Sequence, residues 1–396
     1  MDITIQPHSL RGSLTIIPSK SQAHRLLICA AFADKPTILH CPDTNRDIEA
    51  TADCLRALGA QIQRTDSGYR VIPVAKVPET AILNCCESGS TLRFLLPVAG
   101  ALGVDATFRM EGRLPYRPLS PMWEEMERMG CRLSRPTETT IRCTGKLTPG
   151  NYSIDGGISS QYITGFLLAL SLMESESHLE ITGKLESGPY IDLTKDAIRL
   201  FGADPEHPGA MGFRSPGELT VDGDWSNGAF FVTANFLGSQ LHIAGLKEDS
   251  SQGDRAVVEI LQQLQAGTPT VSAADIPDLI PILSVAAACR KGAVFTDIRR
   301  LRLKESDRVA TVIAMLKSLG GDAWATDDTL TVEGCRLTGG IVDSANDHRI
   351  AMAAAIAATV CTEPVTILGA EAVNKSYPRF WEEYTRLGGQ YEQHLR

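Results

Sequence analysis

A chain of 396 residues, 43% of them apolar, is long enough for two or three domains of ~150 residues with an ordinary core in each. Its net charge of −9 excludes nucleic acid and anionic membrane as partners of the molecule as a whole, so an anionic ligand has to be held by local cations. With 21% charged residues and 34 glycines but no simple repeat or heptad, it is neither disordered, collagenous nor a coiled coil.

From the amino terminus, Met1 and Asp2 open a polar stretch without the basic start and apolar run of a secretory signal, so a cytoplasmic setting with reduced thiols is expected. The ten cysteines include no CxxC pair and no histidine at zinc-ligand spacing, and neither a metal site nor a disulfide framework is expected. Residues 2–17 read as an opening strand that precedes the first repeat and returns to the second half of the chain. Pro18 to Arg25 then runs from a strand through a polar turn into an apolar helix, and the same plan recurs at Cys85 to Arg93, Ile154 to Tyr162, Val221 to Phe230, Ala274 to Leu279 and Val342 to Ile350. Between these starts lie helices that end in an apolar residue and glycine before a short strand. Those ends are Leu58-Gly59, Met129-Gly130, Phe201-Gly202, Ala266-Gly267, Leu319-Gly320 and Leu387-Gly388. Apolar spacings of three and four mark helices at Ala50 to Leu58 and Arg308 to Leu319, whereas Tyr69 to Val74, Ser153 to Asp155 and Leu330 to Val332 read as strands. The uncharged run Trp225 to Leu246 could span a bilayer by length, but its Ser, Asn, Gln and His residues make it a buried helix followed by a strand. Six units of strand, helix, strand, helix, strand, strand are therefore predicted, three on each side of a boundary near Asp222 to Asp224. The domains are 1–18 joined with 223–396, and 19–222.

Six polar helix starts carry unpaired amides and positive dipole ends, and if they converge they form an anion-binding region. Lys20 and Arg25 lie at one of them, where cations oppose the dipole unless an anion faces them. Glu111 to Pro118 is a proline-marked loop with Arg113 and Arg117 four apart. Ser159, Ser160 and Gln161 offer uncharged hydrogen-bonding groups, and Ser187 to Asp192 is another polar turn before a helix. The densest cluster is Leu301 to Arg308, with Lys304 and Arg308 on one helical face. Asn346, Asp347, His348 and Arg349 open a helix that is apolar all round, so their charges are forced to a specific place. Lys375 precedes the last helix.

Ten motifs in order, SKSxxxR at 19–25, GSTLR at 89–93, RxxxRP at 113–118, DGxxSSQ at 155–161, SxPYID at 187–192, QGD at 252–254, IPD at 276–278, LRxKESDR at 301–308, NDHR at 346–349 and KSYP at 375–378, make the chain resemble the enolpyruvyl transferases over essentially its whole length. Within them it is similar to the branch that acts on shikimate 3-phosphate. The resemblance implies an α/β (α+β) fold: a two-domain inside-out α/β barrel of six βαβαββ repeats, three per domain, with the active site in the interdomain cleft. It implies transfer of the enolpyruvyl group of phosphoenolpyruvate to the 5-hydroxyl of shikimate 3-phosphate, with release of phosphate, in aromatic amino acid biosynthesis. Neither metal nor organic cofactor is implied; the partners are the two small-molecule substrates, not nucleic acid or membrane, and a monomer is expected.

By that resemblance Lys20, Gly89, Arg113, Gln161, Arg308, Arg349 and Lys375 surround phosphoenolpyruvate. Lys20, Ser21, Arg25, Ser159, Ser160, Gln161, Ser187, Tyr190, Asp278 and Lys304 surround shikimate 3-phosphate. Asp278, Glu305, Lys20 and His348 are the candidates for moving protons between the hydroxyl and the methylene carbon. Arg300, Glu87 and Phe94 depart from the residues common in the family, and Gly89, in place of alanine, implies sensitivity to glyphosate. Two rivals are a transferase acting on UDP-N-acetylglucosamine, whose reactive cysteine has no counterpart in Arg109 to Met122, and a non-catalytic anion-binding repeat protein.

Overall fold

The computed structural model describes residues 1–394. Two compact units emerge, one of residues 18–222 and one of residues 1–17 with 223–396.

In residues 18–222, two four-stranded sheets share one pattern. The first runs Glu218–Thr220, Thr37–His40, Gly68–Ile72, Gln61–Thr65 and the second Thr80–Asn84, Asp105–Arg109, Thr140–Gly145, Cys131–Thr137. In each, the outer pair on one side is parallel and the remaining pairs are antiparallel; in the second the parallel pair is joined through helix Gly89–Leu102, a βαβ crossover. The third sheet holds only Asn151–Asp155 and His178–Thr182, in parallel. Its unit ends after helix Gly188–Leu200, and the next strand of the chain, Glu218–Thr220, completes the first sheet instead.

The other unit repeats this arrangement. Thr270–Ser272, Gly292–Thr296, Thr329–Glu333, Ala323–Ala325 form one four-stranded sheet, and Gly340–Asp343, Val365–Leu368, Asp2–Gln6, Gln390–His394 form another. The amino-terminal strand thus enters between two strands from the carboxyl-terminal part of the chain, with Ile3 and Ile5 fully buried beneath it. Arg11–Thr15 pairs in parallel with Gln240–Ala244 as a two-stranded sheet. Among the described residues, two repeats, 80–145 and 270–333, therefore run the whole βαβαββ pattern along the chain, two complete their sheet with Glu218–Thr220 or Asp2–Gln6, and two stop after their second helix.

Helices Lys20–Ala31, Gly89–Leu102 and Ser160–Leu170 run through the core of the first unit, and Trp225–Phe236, Ile280–Ala288 and His348–Ala358 through that of the second. All eleven residues of His348–Ala358 are buried. Close packing is allowed by one matched pair: Pro97 has no amide to give the Arg93 carbonyl, and Gly165 of the adjoining helix sits where a Cβ would come within 2.2 Å of that oxygen. Five of the six helix-ending glycines lie at left-handed φ of 70° to 114°, closing the last turn; Gly267 is extended at −174°. Five of these six core helices are capped as the sequence indicates, by Ser19, Ser88, Ser159, Asp224 and Asp347, and the sixth, Ile280–Ala288, begins without a side-chain cap. Among the described residues no helix is long and apolar enough to cross a membrane.

Candidate active site

The candidate residues fall into two groups, one in each unit. In residues 18–222, helix Lys20–Ala31 starts on the Ser19 cap and carries Lys20, Ser21 and Arg25 in its first turns. Lys20 Nζ lies 3.1 Å from Asp47 Oδ2. Arg25 is buried and fixed on every side: Nε donates to Thr194 Oγ1 at 2.8 Å, Nη1 to the Ser21 carbonyl at 2.6 Å, and Nη2 to the Tyr190 carbonyl at 2.8 Å and Thr164 Oγ1 at 3.2 Å. Its guanidinium also lies 5.0 Å from the centre of the Phe94 ring. Burial lowers Arg25 to about 10, which still leaves it charged at neutral pH.

Gly89 begins helix Gly89–Leu102, where the Ser88 hydroxyl accepts from the Thr91 amide at 3.2 Å. A Cβ at Gly89 would stand 2.6 Å from Arg117 Nη1 and 2.7 Å from Arg93 Nη1, so two guanidinium groups lie against this backbone. Arg93 Nη2 donates to the Pro118 carbonyl at 3.0 Å, and Arg117 Nε is buried without a partner. Arg113 is exposed, one residue before the short turn Leu114–Tyr116. Of the two loop arginines, Arg117 lies against Gly89. Gln161 Nε2 donates to Ser90 Oγ at 3.0 Å, tying two helix starts together. Ser159 caps its helix through the Gln161 amide at 3.3 Å, next to the buried Ser160. Ser187 takes a left-handed φ of 59°, a strained conformation for a non-glycine residue, just before the helix that carries Tyr190.

In residues 223–396 the centre is Arg308, whose side chain is 1% exposed. Nε donates to Asp347 Oδ2 at 2.9 Å, Nη1 to Asp278 Oδ1 at 2.6 Å and Nη2 to Glu305 Oε2 at 2.7 Å. Arg349 Nη2 donates to the other oxygen of Asp278 at 3.1 Å, and Nη1 to the Ser226 carbonyl at 2.9 Å. Lys304 Nζ stands 3.9 Å from Asp278 Oδ1. Burial opposes the charge on Asp278, yet Arg349, Arg308 and Lys304 outweigh it and hold the carboxyl well below the usual range. Arg308 and Arg349 are raised despite burial, chiefly by Asp347 for the first and Asp278 for the second. Lys304 is pushed down to about 8 by burial, with Asp278 offsetting part of the effect and Arg308 and Arg300 adding to it. Lys375 Nζ donates to the Asn346 carbonyl at 2.9 Å. His348 is buried, with Nδ1 3.9 Å from Asp347.

Two residues outside the candidate set organise this second group. Asp347 accepts from the Arg349 amide at 2.9 Å with one oxygen, and from Arg308 and Ser306 (3.0 Å) with the other, so one carboxylate caps a helix and anchors an arginine. The turn before it bends through left-handed φ at Ala345 and Asn346. Asp254 is buried and raised to about 7, first by desolvation and then by Asp278. The Ser226 hydroxyl donates to it, and Ser226 is also the residue whose carbonyl receives Arg349. Asp347 was readable as a helix cap, but nothing local signals its second bond. Asp254 sits in a motif whose burial only the fold reveals.

A family model described as EPSP synthase (3-phosphoshikimate 1-carboxyvinyltransferase) matches residues 5–384. Curated relatives called 3-phosphoshikimate 1-carboxyvinyltransferase include one from Clostridium novyi, 37% identical over 424 residues, covering 98% of this chain and 98% of the relative. Another from Clostridium perfringens (strain ATCC 13124) is 37% identical over 418 residues, with 98% of each chain covered. Among solved structures, EPSP synthase from Acinetobacter baumannii has the same fold, with a TM-score of 0.80 at 24% identity over 99% of this chain and 100% of that one. The enolpyruvyl transferase NikO from Streptomyces tendae also shares it, with a TM-score of 0.77 at 18% identity over 100% and 99% of the two chains.

Proposed function

This chain belongs to the EPSP synthase (3-phosphoshikimate 1-carboxyvinyltransferase) family, and we propose how its residues carry enolpyruvyl from phosphoenolpyruvate to the 5-hydroxyl of shikimate 3-phosphate. The observation that carries the reading is Asp278, a carboxylate kept ionised by two buried guanidinium groups and a lysine. Such a group is an acceptor at every physiological pH, suited to orient the 5-hydroxyl and offset the positive charge that grows on its oxygen during attack on C2 of the enol; held so far down it is a weak base, and the hydroxyl proton ends on the departing phosphate. The methylene carbon gains a proton in that addition and gives it up when phosphate leaves, so net proton transfer at carbon is zero. Lys20 and Glu305 are the groups proposed for that proton. His348, buried beside Asp347, is proposed to position the helix start rather than to exchange protons.

Arg308, Arg349, Lys375, Lys20, Gln161 and the Gly89 amide are assigned to phosphoenolpyruvate. Arg113, exposed beside the turn Leu114–Tyr116, is also assigned to phosphoenolpyruvate, and Arg117 and Arg93, whose guanidinium groups lie against Gly89, join it. Ser21, Arg25, Ser159, Ser160, Ser187, Tyr190 and Lys304 are assigned to shikimate 3-phosphate, with Lys20 and Gln161 shared. Phosphate release that requires both substrates, and that UDP-N-acetylglucosamine does not support, tests the assignment of substrate.

Lys304 makes the reading pH-sensitive. Because its ammonium loses its proton near 8 in the free enzyme, KM for shikimate 3-phosphate should rise as pH climbs past that value, and Lys304→Arg should flatten the rise. Steady-state kinetics across the alkaline range check this, and an unchanged wild-type KM would remove Lys304 from the phosphate site. Gly89 gives a second test. Glyphosate should inhibit the wild type below millimolar concentration, whereas a methyl group at position 89 must displace the guanidinium groups 2.6 and 2.7 Å away. Gly89→Ala should raise both the glyphosate IC50 and KM for phosphoenolpyruvate, by on the order of tenfold. Equal inhibition of the two forms would separate Gly89 from that site.

A further inference from the structure

A fully buried string of polar side chains in residues 18–222 touches none of the substrate assignments directly. His24 Nδ1 lies 2.7 Å from Thr51 Oγ1, Thr51 Oγ1 lies 2.7 Å from Thr91 Oγ1, and Thr91 Oγ1 lies 2.7 Å from Ser88 Oγ. Each of the four is 0% exposed. The string starts on helix Lys20–Ala31, crosses helix Arg46–Ala57 and ends on the hydroxyl that caps helix Gly89–Leu102.

Hydrogen counting gives the string a direction. His24 Nε2 is buried without a partner, and an orphaned buried N–H is rarer than a bare acceptor, so the ring hydrogen belongs on Nδ1. Thr51 then accepts from His24 and donates to Thr91, and Thr91 donates to Ser88. Ser88 Oγ also accepts the Thr91 amide at 3.2 Å. The Thr91 hydroxyl has one other acceptor within reach, the Asp47 carbonyl at 3.4 Å, so the supply from Thr51 and His24 decides which way it turns. The ring is held by the edge-to-face Phe94, 6.2 Å away at 90°. Burial, with Lys20 and Arg25 adding to it, keeps His24 neutral by lowering it well below its usual value.

We infer that His24 is a positioning residue: through Thr51 and Thr91 it orders the Ser88 cap and so fixes the Gly89 backbone at the start of its helix. The kinetic consequence rests on the proposed assignment of Gly89 to phosphoenolpyruvate, whereas the ordering itself does not. The string does not reach the Ser21 and Tyr190 carbonyls, which Arg25 holds through hydrogen bonds of its own.

The test compares full-length wild type with Thr51→Val, Thr51→Ser, His24→Asn and the His24→Asn/Thr51→Val double variant. Thr51→Val should raise KM for phosphoenolpyruvate about fivefold, the factor that goes with one buried hydrogen bond, and leave KM for shikimate 3-phosphate within about twofold. Thr51→Ser, which keeps the hydroxyl, should restore the wild-type value, and the double variant should be no worse than the poorer single one. Amide hydrogen exchange, read without any substrate, should quicken over residues 86–92 in Thr51→Val and return to normal in Thr51→Ser. Unchanged or uniformly faster exchange overturns the inference whatever the kinetics. Exchange that behaves as expected, in an enzyme that releases no phosphate, would instead overturn the assigned reaction and leave the positioning role standing.

Discussion

Replacing Arg308 with methionine should lower the unfolding free energy by about 3–5 kcal/mol and abolish turnover. Few side chains in the molecule are as enclosed: its three nitrogens are spent on Asp347, Asp278 and Glu305 at 2.9, 2.6 and 2.7 Å, with 1% of the side chain exposed. A methionine fills similar volume but leaves Asp347, which is 0% exposed, with its charge uncompensated. Asp278 would retain Arg349 and Lys304, so the damage centres on Asp347 and, through it, on the start of helix His348–Ala358. Arg308→Lys should recover only part of the loss, because one ammonium cannot reach three carboxylates in three directions. Urea unfolding followed by circular dichroism reads the change. A shift under about 1 kcal/mol would mean that the carboxylates are solvated or protonated, contrary to the geometry.

Asp278→Asn should cut kcat by a factor of about 10² to 10⁴ while the protein stays folded. The amide keeps the shape of the carboxylate but not its charge. Arg308 keeps Asp347 and Glu305, and Arg349 keeps the Ser226 carbonyl, so each cation retains an acceptor. Asp254, raised partly by Asp278, should then titrate lower than about 7. The sign for the wild type is fixed by the depressed carboxyl: its stabilising contribution is present above the ordinary carboxylate value and is lost only as pH falls through the lower folded value. Single-turnover phosphate release alongside a thermal melt separates the outcomes. Full turnover by Asp278→Asn would pass the acceptor role to Glu305 or Lys20.

Much of this was legible in the chain because helix starts advertise themselves. Ser19, Ser88, Ser159, Asp224 and Asp347 each bond an amide two or three residues on, which is local chemistry that a sequence can carry. The two truncated repeats were not legible, since their shortfall depends on strands that go elsewhere. Glu218–Thr220 pairs with Thr37–His40, and Asp2–Gln6 pairs with strands more than 350 residues away. Arg113 and Arg117 look equivalent as letters four apart; in the fold they flank the turn Leu114–Tyr116, Arg117 lying against Gly89 and Arg113 exposed. The cluster Leu301 to Arg308 could have passed for a solvated charge run. Its meaning comes from Asp278 and Asp347, some 30 and 39 residues distant, which bury the guanidinium from both sides.

On the proposed reading these buried cations and the ionised Asp278 serve one carboxyvinyl transfer. Mass spectrometry of a reaction holding purified protein, phosphoenolpyruvate and shikimate 3-phosphate tests it most directly. The expected result is a product with the enolpyruvyl group joined through the 5-oxygen and one phosphate released per product, abolished together by Asp278→Asn. Phosphate released without shikimate 3-phosphate, or enolpyruvyl transferred only to UDP-N-acetylglucosamine, would contradict it.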